Sequence, residues 1–404
     1  MRRLSNLSID TSKLKNRVSG QKLTFKKPTF KKPAFSKPAF KKPSLSKKGA
    51  GKRSVGRKSG HPVGLDIESG SIAATELSPG EGRAPGQTAI VPLEPGIVRE
   101  GDIQDPERLA EALKDLFARH KLGKSVRLGI ANQRVVVRTI QLPLIEDPKE
   151  IETAVRFRAQ DEIPMPLDQA VLDHRVIGVR DGADGSRQMD VLAVAARRDM
   201  IFPLLQAMRD AGLQPAGIDL AAFGMIRALK SRQNGVTSEA PPPTTLYCHL
   251  GDVTNIAMAK GGECLFTRVS PFGIDTITGR VSSRLEINLD DARELLMEVG
   301  LDDAVDLFDD HDSAQAARDE LERGASKLTD ELRMSMDFYG AQEGVTPVER
   351  VVVCGAGSRI SGLPERIHST LGLEIVAETP AALSNLDPED AARLTVSYGL
   401  ALED

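Results

Sequence analysis

Cysteine is scarce, and the little there is lies scattered. Cys248, Cys264 and Cys354 stand alone, with no Cys-X-X-Cys pair and no histidine cluster beside them, so neither a disulfide framework nor a thiolate zinc site is indicated. A reducing cytoplasmic setting fits, and each thiol reads as a small buried apolar group in or beside a strand. Long apolar runs are missing too. No window approaches the roughly 18 to 20 uninterrupted apolar residues of a membrane-spanning helix, which predicts a soluble chain. No apolar core follows the basic start, which excludes a secretory signal. The third shortage is local: the first 60 residues hold 19 Lys and Arg against a single acid, Asp10.

That imbalance divides the chain. The formal charge of the whole is -3, yet residues 1–60 carry +18 and residues 61–404 carry -21. An acidic globular body with a basic arm is an asymmetry that calls for a partner for the arm. The body, at more than 340 residues, is long enough for two domains with their own cores. Within the arm a pentapeptide recurs as TFKKP (24–28), TFKKP (29–33), AFSKP (34–38) and AFKKP (39–43). Proline at every fifth position forbids a continuing helix or central strand, and little apolar material is left to offset the entropy of ordering, so the arm reads as extended and disordered. Phe25, Phe30, Phe35 and Phe40 among the lysines suit an anionic membrane surface, where charges bind and rings insert. An inert spacer is the plainer alternative, and stacking on single-stranded nucleic acid ranks last, so no nucleic-acid partner is expected.

Alternating apolar order begins at Val63. Val63, Leu65 and Ile67, then Ile72 and Ala74, predict two short strands joined at Ser69-Gly70-Ser71. Asp66, at the end of the first strand before a small-residue turn with free N–H groups, would present a carboxylate and a phosphate cradle together. The same grammar returns at 246–259, where a strand enters the turn Gly251-Asp252-Val253-Thr254-Asn255 and a second strand leaves it. Two such hairpins predict a duplicated domain facing itself across a cleft. Between them a third strand is expected over 87–93, a helix over 105–120 capped by Asp105 with Pro106 in its first turn, and strands over 125–131 and 135–142. An amphipathic helix over 148–162, with Ile151, Ala154, Val155 and Phe157 on its apolar side, opens a block with strands at 173–179 and 189–196 and a helix at 198–211. A strand at 214–219 and a helix at 221–229 return to the first domain before a polar linker ending in three prolines. After the second hairpin come a strand at 262–270, helices at 274–286 and 290–298, and an acidic stretch at 302–312. That stretch lacks EF-hand spacing and its glycine, so it reads as a solvated loop. A long helix over 314–340 precedes a buried strand at 349–354, the turn Gly355-Ala356-Gly357-Ser358, and a helix at 363–371. The last helix, 388–402, carries Gly399 where a ligand or another backbone presses close.

These three turns stand in the order of the two phosphate hairpins and the adenosine loop of the actin-like ATPase superfamily. The segments GLDIESGSIAATEL (64–77), LPLIEDPKEIETAVRFRAQDEIPMPLDQAVLDHRVIG (142–178), VLAVAARRDMIFPLLQAMRDAGLQPAGIDLAAFGMIRAL (191–229) and GDVTNIAMAKGGECLFTRVSPFGIDTIT (251–278) resemble, more closely, the PilM family of type IV pilus assembly proteins, relatives of FtsA. The resemblance covers about 63–404 and leaves the arm without a counterpart. It implies an α/β, actin-like (ribonuclease H-like) two-domain fold with an inserted subdomain, preceded by the disordered basic tail. The implied division is tail 1–60, domain I 61–230 with its insert at about 132–213, linker 231–245, domain II 246–390 with its own subdomain at about 281–349, and a C-terminal helix 391–404 returning to domain I.

The resemblance also implies ATP and Mg2+ as cofactors. Asp66 and Ser69 from the first hairpin and Gly251 and Thr254 from the second would face the phosphates, with Gly355, Gly357 and Ser358 under the adenosine. It assigns no catalytic residue and no protein metal ligand. Three departures from the family pattern point to weak or absent hydrolysis: Glu68 replaces a glycine, His249 replaces the acid at the end of the strand, and Leu296 stands near where a lysine is usual. Phosphoryl transfer rests on charge neutralisation and positioning, which an added anion and a lost metal-ordering acid both oppose. The implied role is a cytoplasmic scaffold at the inner face of the membrane. It would bind the N-terminal peptide of a PilN-like membrane protein in a groove near 126–142, 148–162 and 221–229. It would also contact other pilus assembly proteins and touch anionic lipid through residues 1–60, with ATP setting the angle between its halves. The alternatives are an active ATPase of the actin and sugar-kinase superfamily, or an FtsA-like cell-division protein. The second would want a C-terminal amphipathic helix.

Overall fold

The chain is seen here as a computed structural model describing residues 8–9, 61–80, 83–181, 185–230, 242–302, 305–342 and 345–402. The pentapeptide repeat and residues 231–241 of the linker lie outside the described residues. The first half contains β1 (Ser8–Ile9), β2 (Val63–Ile67), β3 (Ser71–Leu77), β4 (Pro85–Pro92) and a small ribbon of β5 (Val98–Arg99) with β6 (Asp102–Ile103). It continues with α1 (Pro106–Arg119), β7 (Ser125–Ile130), β8 (Val135–Pro143), α2 (Pro148–Glu162), β9 (Ala170–Asp181), β10 (Arg187–Arg197), α3 (Arg198–Asp210), β11 (Gln214–Leu220) and α4 (Ala221–Lys230). The second half runs β12 (Thr244–Leu250), β13 (Thr254–Lys260), β14 (Glu263–Ser270), α5 (Ile274–Leu285), α6 (Leu289–Val299), α7 (His311–Gly340), β15 (Arg350–Cys354), α8 (Leu363–Leu371) and β16 (Glu374–Ala377). Two short helices, α9 (Pro388–Arg393) and α10 (Thr395–Ala401), end it.

Both large sheets repeat one wiring. In the first the order is β4-β3-β2-β7-β11, and in the second β14-β13-β12-β15-β16. Each begins as antiparallel hairpins and continues as parallel strands, so the duplication expected from the two hairpins is present in the topology. Helices α1 and α3 pack on each other over the first sheet, where Val63 and Leu65 join Leu109, Leu113, Ile201 and Leu205 in one core. Helices α5 to α8 cover the second sheet with a separate core.

The elements follow from local chemistry. Asp105, Asp147, Asn288, Asp310 and Asp387 each accept a backbone N–H at a helix start, and proline opens the first turn of α1, α2, α8 and α9. Side chains alternate along a strand, so Gly64 faces away from Val63 and Leu65 and toward α10. A β-carbon there would sit 1.9 Å from the carbonyl oxygen of Ser397, and one at Gly399 would sit 1.8 Å from that of Gly224. The backbone pressing on Gly399 is therefore that of α4.

Several expectations are corrected. Phe157 is 68% exposed, and Val155 and Ala159 are the fully buried positions of α2. The three-stranded sheet β8-β10-β9 forms its own small core with α2, but α3 packs on α1 and belongs to the larger sheet, so the insert's core ends at Arg197. Strand β12 starts at Thr244, inside the stretch read as linker, and Thr244 and Thr245 are buried. Strand β16 was unforeseen, and the last helix breaks at Leu394 into α9 and α10. Ser8–Ile9, in the arm read as disordered, pairs antiparallel with β11. All three cysteines are free and buried, as expected. Among the described residues no helix is long and apolar enough to cross a membrane.

Because the α4–α10 crossing has no room for a methyl group, Gly399→Ala should destabilise the chain by about 1–3 kcal/mol in urea denaturation. Gly279→Ala, on α5 with open space around it, should be neutral or stabilising by up to about 1 kcal/mol.

Candidate functional site

The two hairpins meet tip to tip. In the first, the N–H of Glu68 closes on the carbonyl of Ser71 (2.9 Å), which leaves Ser69 N–H pointing across the gap. In the second, Gly251 N–H closes on the carbonyl of Val253 and the N–H of Ile274 on that of Gly251 (2.8 Å), tying the turn to the start of α5. The cradle N–H of Ser69 donates to Asp252 Oδ2 at 2.8 Å, and the Ser69 hydroxyl donates to Asp275, in the first turn of α5. Glu68 reaches the other way. A β-carbon on Gly251 would lie 1.9 Å from Glu68 Oε1, so the carboxylate rests directly on that glycine's backbone. His249, 6% exposed, closes the floor with Nδ1 4.0 Å from Glu68 Oε1, and Asp66, 7% exposed, stands beside them.

Crowding and burial set the electrostatics. Desolvation, then the charges of Glu68 and Asp252, hold the Asp66 carboxyl well above its usual range. Desolvation pushes Glu68 up to about 7, helped by the charge of Asp275 and opposed by Arg393 and Arg293. Asp252 is likewise raised to about 7, by desolvation and then by Glu68. Desolvation lowers His249 to about 4, against the attraction of Asp252. Arg293 is paired to Asp275 at 2.8 Å and Arg393 to Glu389 at 2.7 Å.

The residues expected under a nucleotide divide into two groups. Asp66, Ser69 and Gly251 come together in this cleft. Thr254 is fully buried and its hydroxyl donates to the carbonyl of Phe272 at 2.6 Å. In the third turn Gly355 has φ +83 and backs onto the His249 ring, Gly357 packs on Leu250, and the Ser358 hydroxyl donates to the carbonyl of Gly355 at 2.7 Å. The third turn thus braces the second hairpin. Asp252, Asp275 and Arg293 were not singled out from the sequence. By position Asp252 is a turn acid and Asp275 a first-turn acid, and only pairing with Ser69 across the cleft distinguishes them.

Residues 64–404 match the family described as Type IV pilus assembly protein PilM. This chain belongs to the PilM family. A solved chain of a PilM-PilN type IV pilus biogenesis complex is 26% identical, covers 84% of this chain and 97% of its own length, and superposes with a TM-score of 0.70. Weaker likenesses are to the ethanolamine utilization protein EutJ from Carboxydothermus hydrogenoformans (14% identity, 85% of this chain, 90% of that one, TM-score 0.48) and to MreB5 of Spiroplasma citri bound to ADP (14%, 83%, 94%, 0.46). The repeated sheet wiring of this PilM-family chain is the actin-like fold, with its insert between the fourth and fifth strands of the first sheet.

As arranged, the residues of the cleft do not fit a magnesium–nucleotide ligand. A triphosphate needs N–H donors and cations, and here Asp252 already takes the N–H of Ser69. The partly open space among Asp66, Glu68, His249 and Asp252 is about 20 Å³, room for one water or ion. Outside it a trough of about 810 Å³, lined by Gly70, Asp290, Arg293, Glu389 and Arg393, opens to solvent.

Glu68 and Asp252, raised to about 7 in the folded chain, hold protons that the unfolded chain has released, so their stabilising contribution is full at acid pH and is lost as pH rises through about 7. His249, lowered to about 4, acts in the opposite sense between about pH 4 and 6.5. Glu68→Gln should therefore match the parent near pH 4.5 and exceed it by roughly 2–3 kcal/mol at pH 8. Urea denaturation at both pH values checks this, and a pH-independent difference would show that Glu68 ionises freely.

Proposed function

We propose that this PilM-family chain is a cytoplasmic scaffold at the inner face of the membrane, holding the N-terminal peptide of a PilN-like membrane protein as an added strand on β11. The observation that carries the reading is the seat of Ser8–Ile9. An extended segment lies antiparallel on β11, Ser8 opposite Asp219 and Ile9 opposite Ile218, on the side where β9 of the insert also meets it. An open sheet edge offers backbone N–H and C=O groups in a row, so main-chain pairing supplies affinity and neighbouring side chains supply selection. The resemblance to a chain from a PilM-PilN complex supports a PilN-like occupant. Helix α4, expected as a groove wall, buries eight of its ten residues, and the β11 edge takes its place in the proposal.

ATP is the ligand that the fold class suggests, and binding it would require the hairpins to part and Asp252 to yield the N–H of Ser69. A scaffold needs no turnover, so the crowding that opposes phosphate leaves this role intact. Other pilus assembly proteins are proposed partners through the family, and the lysine and phenylalanine repeat is proposed to bind anionic lipid.

The partner peptide and Ser8–Ile9 compete for one edge on this reading. Removing residues 1–10 should tighten binding of a synthetic peptide of the partner's cytoplasmic N-terminus by about tenfold, with hydrogen-exchange protection gained along β11. Unchanged affinity with no protection there would place the peptide elsewhere. Deleting residues 1–60 should weaken sedimentation with phosphatidylglycerol vesicles by roughly a hundredfold or more, at about 1 kcal/mol per basic residue near the surface. Equal sedimentation would remove the arm from the membrane.

A further inference from the structure

We propose that Asp66, Glu68 and His249 form a nucleotide-independent site for one divalent transition-metal ion, joining the two halves of the chain. One ligand atom from each lies within 4.8 Å of the others. Ligands around a single ion at about 2.1 Å stand roughly 3.4 Å apart, so closure needs a contraction on the order of 1 Å. His249 supplies the independent observation. It is more than nine-tenths buried, it faces the two carboxylates, and neither ring nitrogen has a hydrogen-bond partner among the described residues. The partly open space these groups share with Asp252 is about 20 Å³, sufficient for an ion.

The two residues that depart from the family pattern are the ones that make the cage. Glu68 brings a carboxylate over Gly251, and His249 brings a neutral imidazole to the strand end. One nitrogen and two carboxylate ligands suit Zn2+, Co2+ or Mn2+, while Mg2+ prefers an octahedral shell of oxygens. Asp66 and Glu68 come from the first hairpin and His249 from the second, so the ion would close the cleft in place of a nucleotide.

The experiment is calorimetric titration of the chelator-stripped full chain with Zn2+, Co2+ and Mg2+, each without nucleotide. The expected result is one Zn2+ or Co2+ per chain at micromolar affinity or tighter, with Mg2+ at least a hundredfold weaker. Co2+ should show the visible absorption of a nitrogen–oxygen site. Glu68→Gln and His249→Gln should each weaken Zn2+ binding at least a hundredfold, while His311→Ala, at a surface histidine, should leave it unchanged. Because Glu68→Gln removes a buried charge, its metal-free form should melt no lower than the parent at pH 8. Loss of metal without loss of stability then separates a ligand from a packing residue. Absence of stoichiometric binding, binding that persists in both variants, or binding only when ATP is present would each overturn the site.

Discussion

Two hairpin turns, one from each half, press together more carboxylate than their surroundings can solvate. Asp66, Glu68, Asp252 and Asp275 converge within a few side-chain lengths, and burial raises the first three above their ordinary range. Against that cost stand the Ser69 N–H and hydroxyl, and Arg293 on α6. Charge in a desolvated site is tolerated only when it is paired, protonated or bound to a cation. The closed cleft and the raised pKa of its carboxyls both descend from that one constraint.

The rest of the fold keeps the hairpins where this conflict cannot relax. Helix α4 leaves the first sheet and packs against the second, so Tyr247, Ala257 and Ala259 share a core with Met225 and Leu229. Helix α10 then lies over α4 and β2 at backbone contact, through Gly64, Gly224 and Gly399. A methyl group at any of these would lift the terminal helix off the sheet. The third turn adds its own brace, since Gly355 at positive φ lets the chain back onto His249.

Much of this was legible wherever the information is local. Asp105 with Pro106, and Asp147 with Pro148, mark helix starts because the cap and the fixed φ of proline act within one turn. The hairpins are written in alternation and small turn residues. What was missed depends on partners far away in the chain. Strand β16 is four residues long and is a strand only because β15 lies beside it. Phe157 lies two residues from both Val155 and Ala159, about 200° round the helix from the face they bury, so it faces solvent. Helix α3 follows the insert in sequence and packs with α1.

Residue type and short-range spacing carry the arm's charge and repeat, the two hairpins, the duplicated α/β plan and the departures at Glu68 and His249. What those departures do is set by long-range packing. Whether Glu68 meets a phosphate, a glycine backbone or an imidazole depends on residues about 180 positions away. That distance is closed by the packing of two sheets across α4 and α10, which no local pattern encodes.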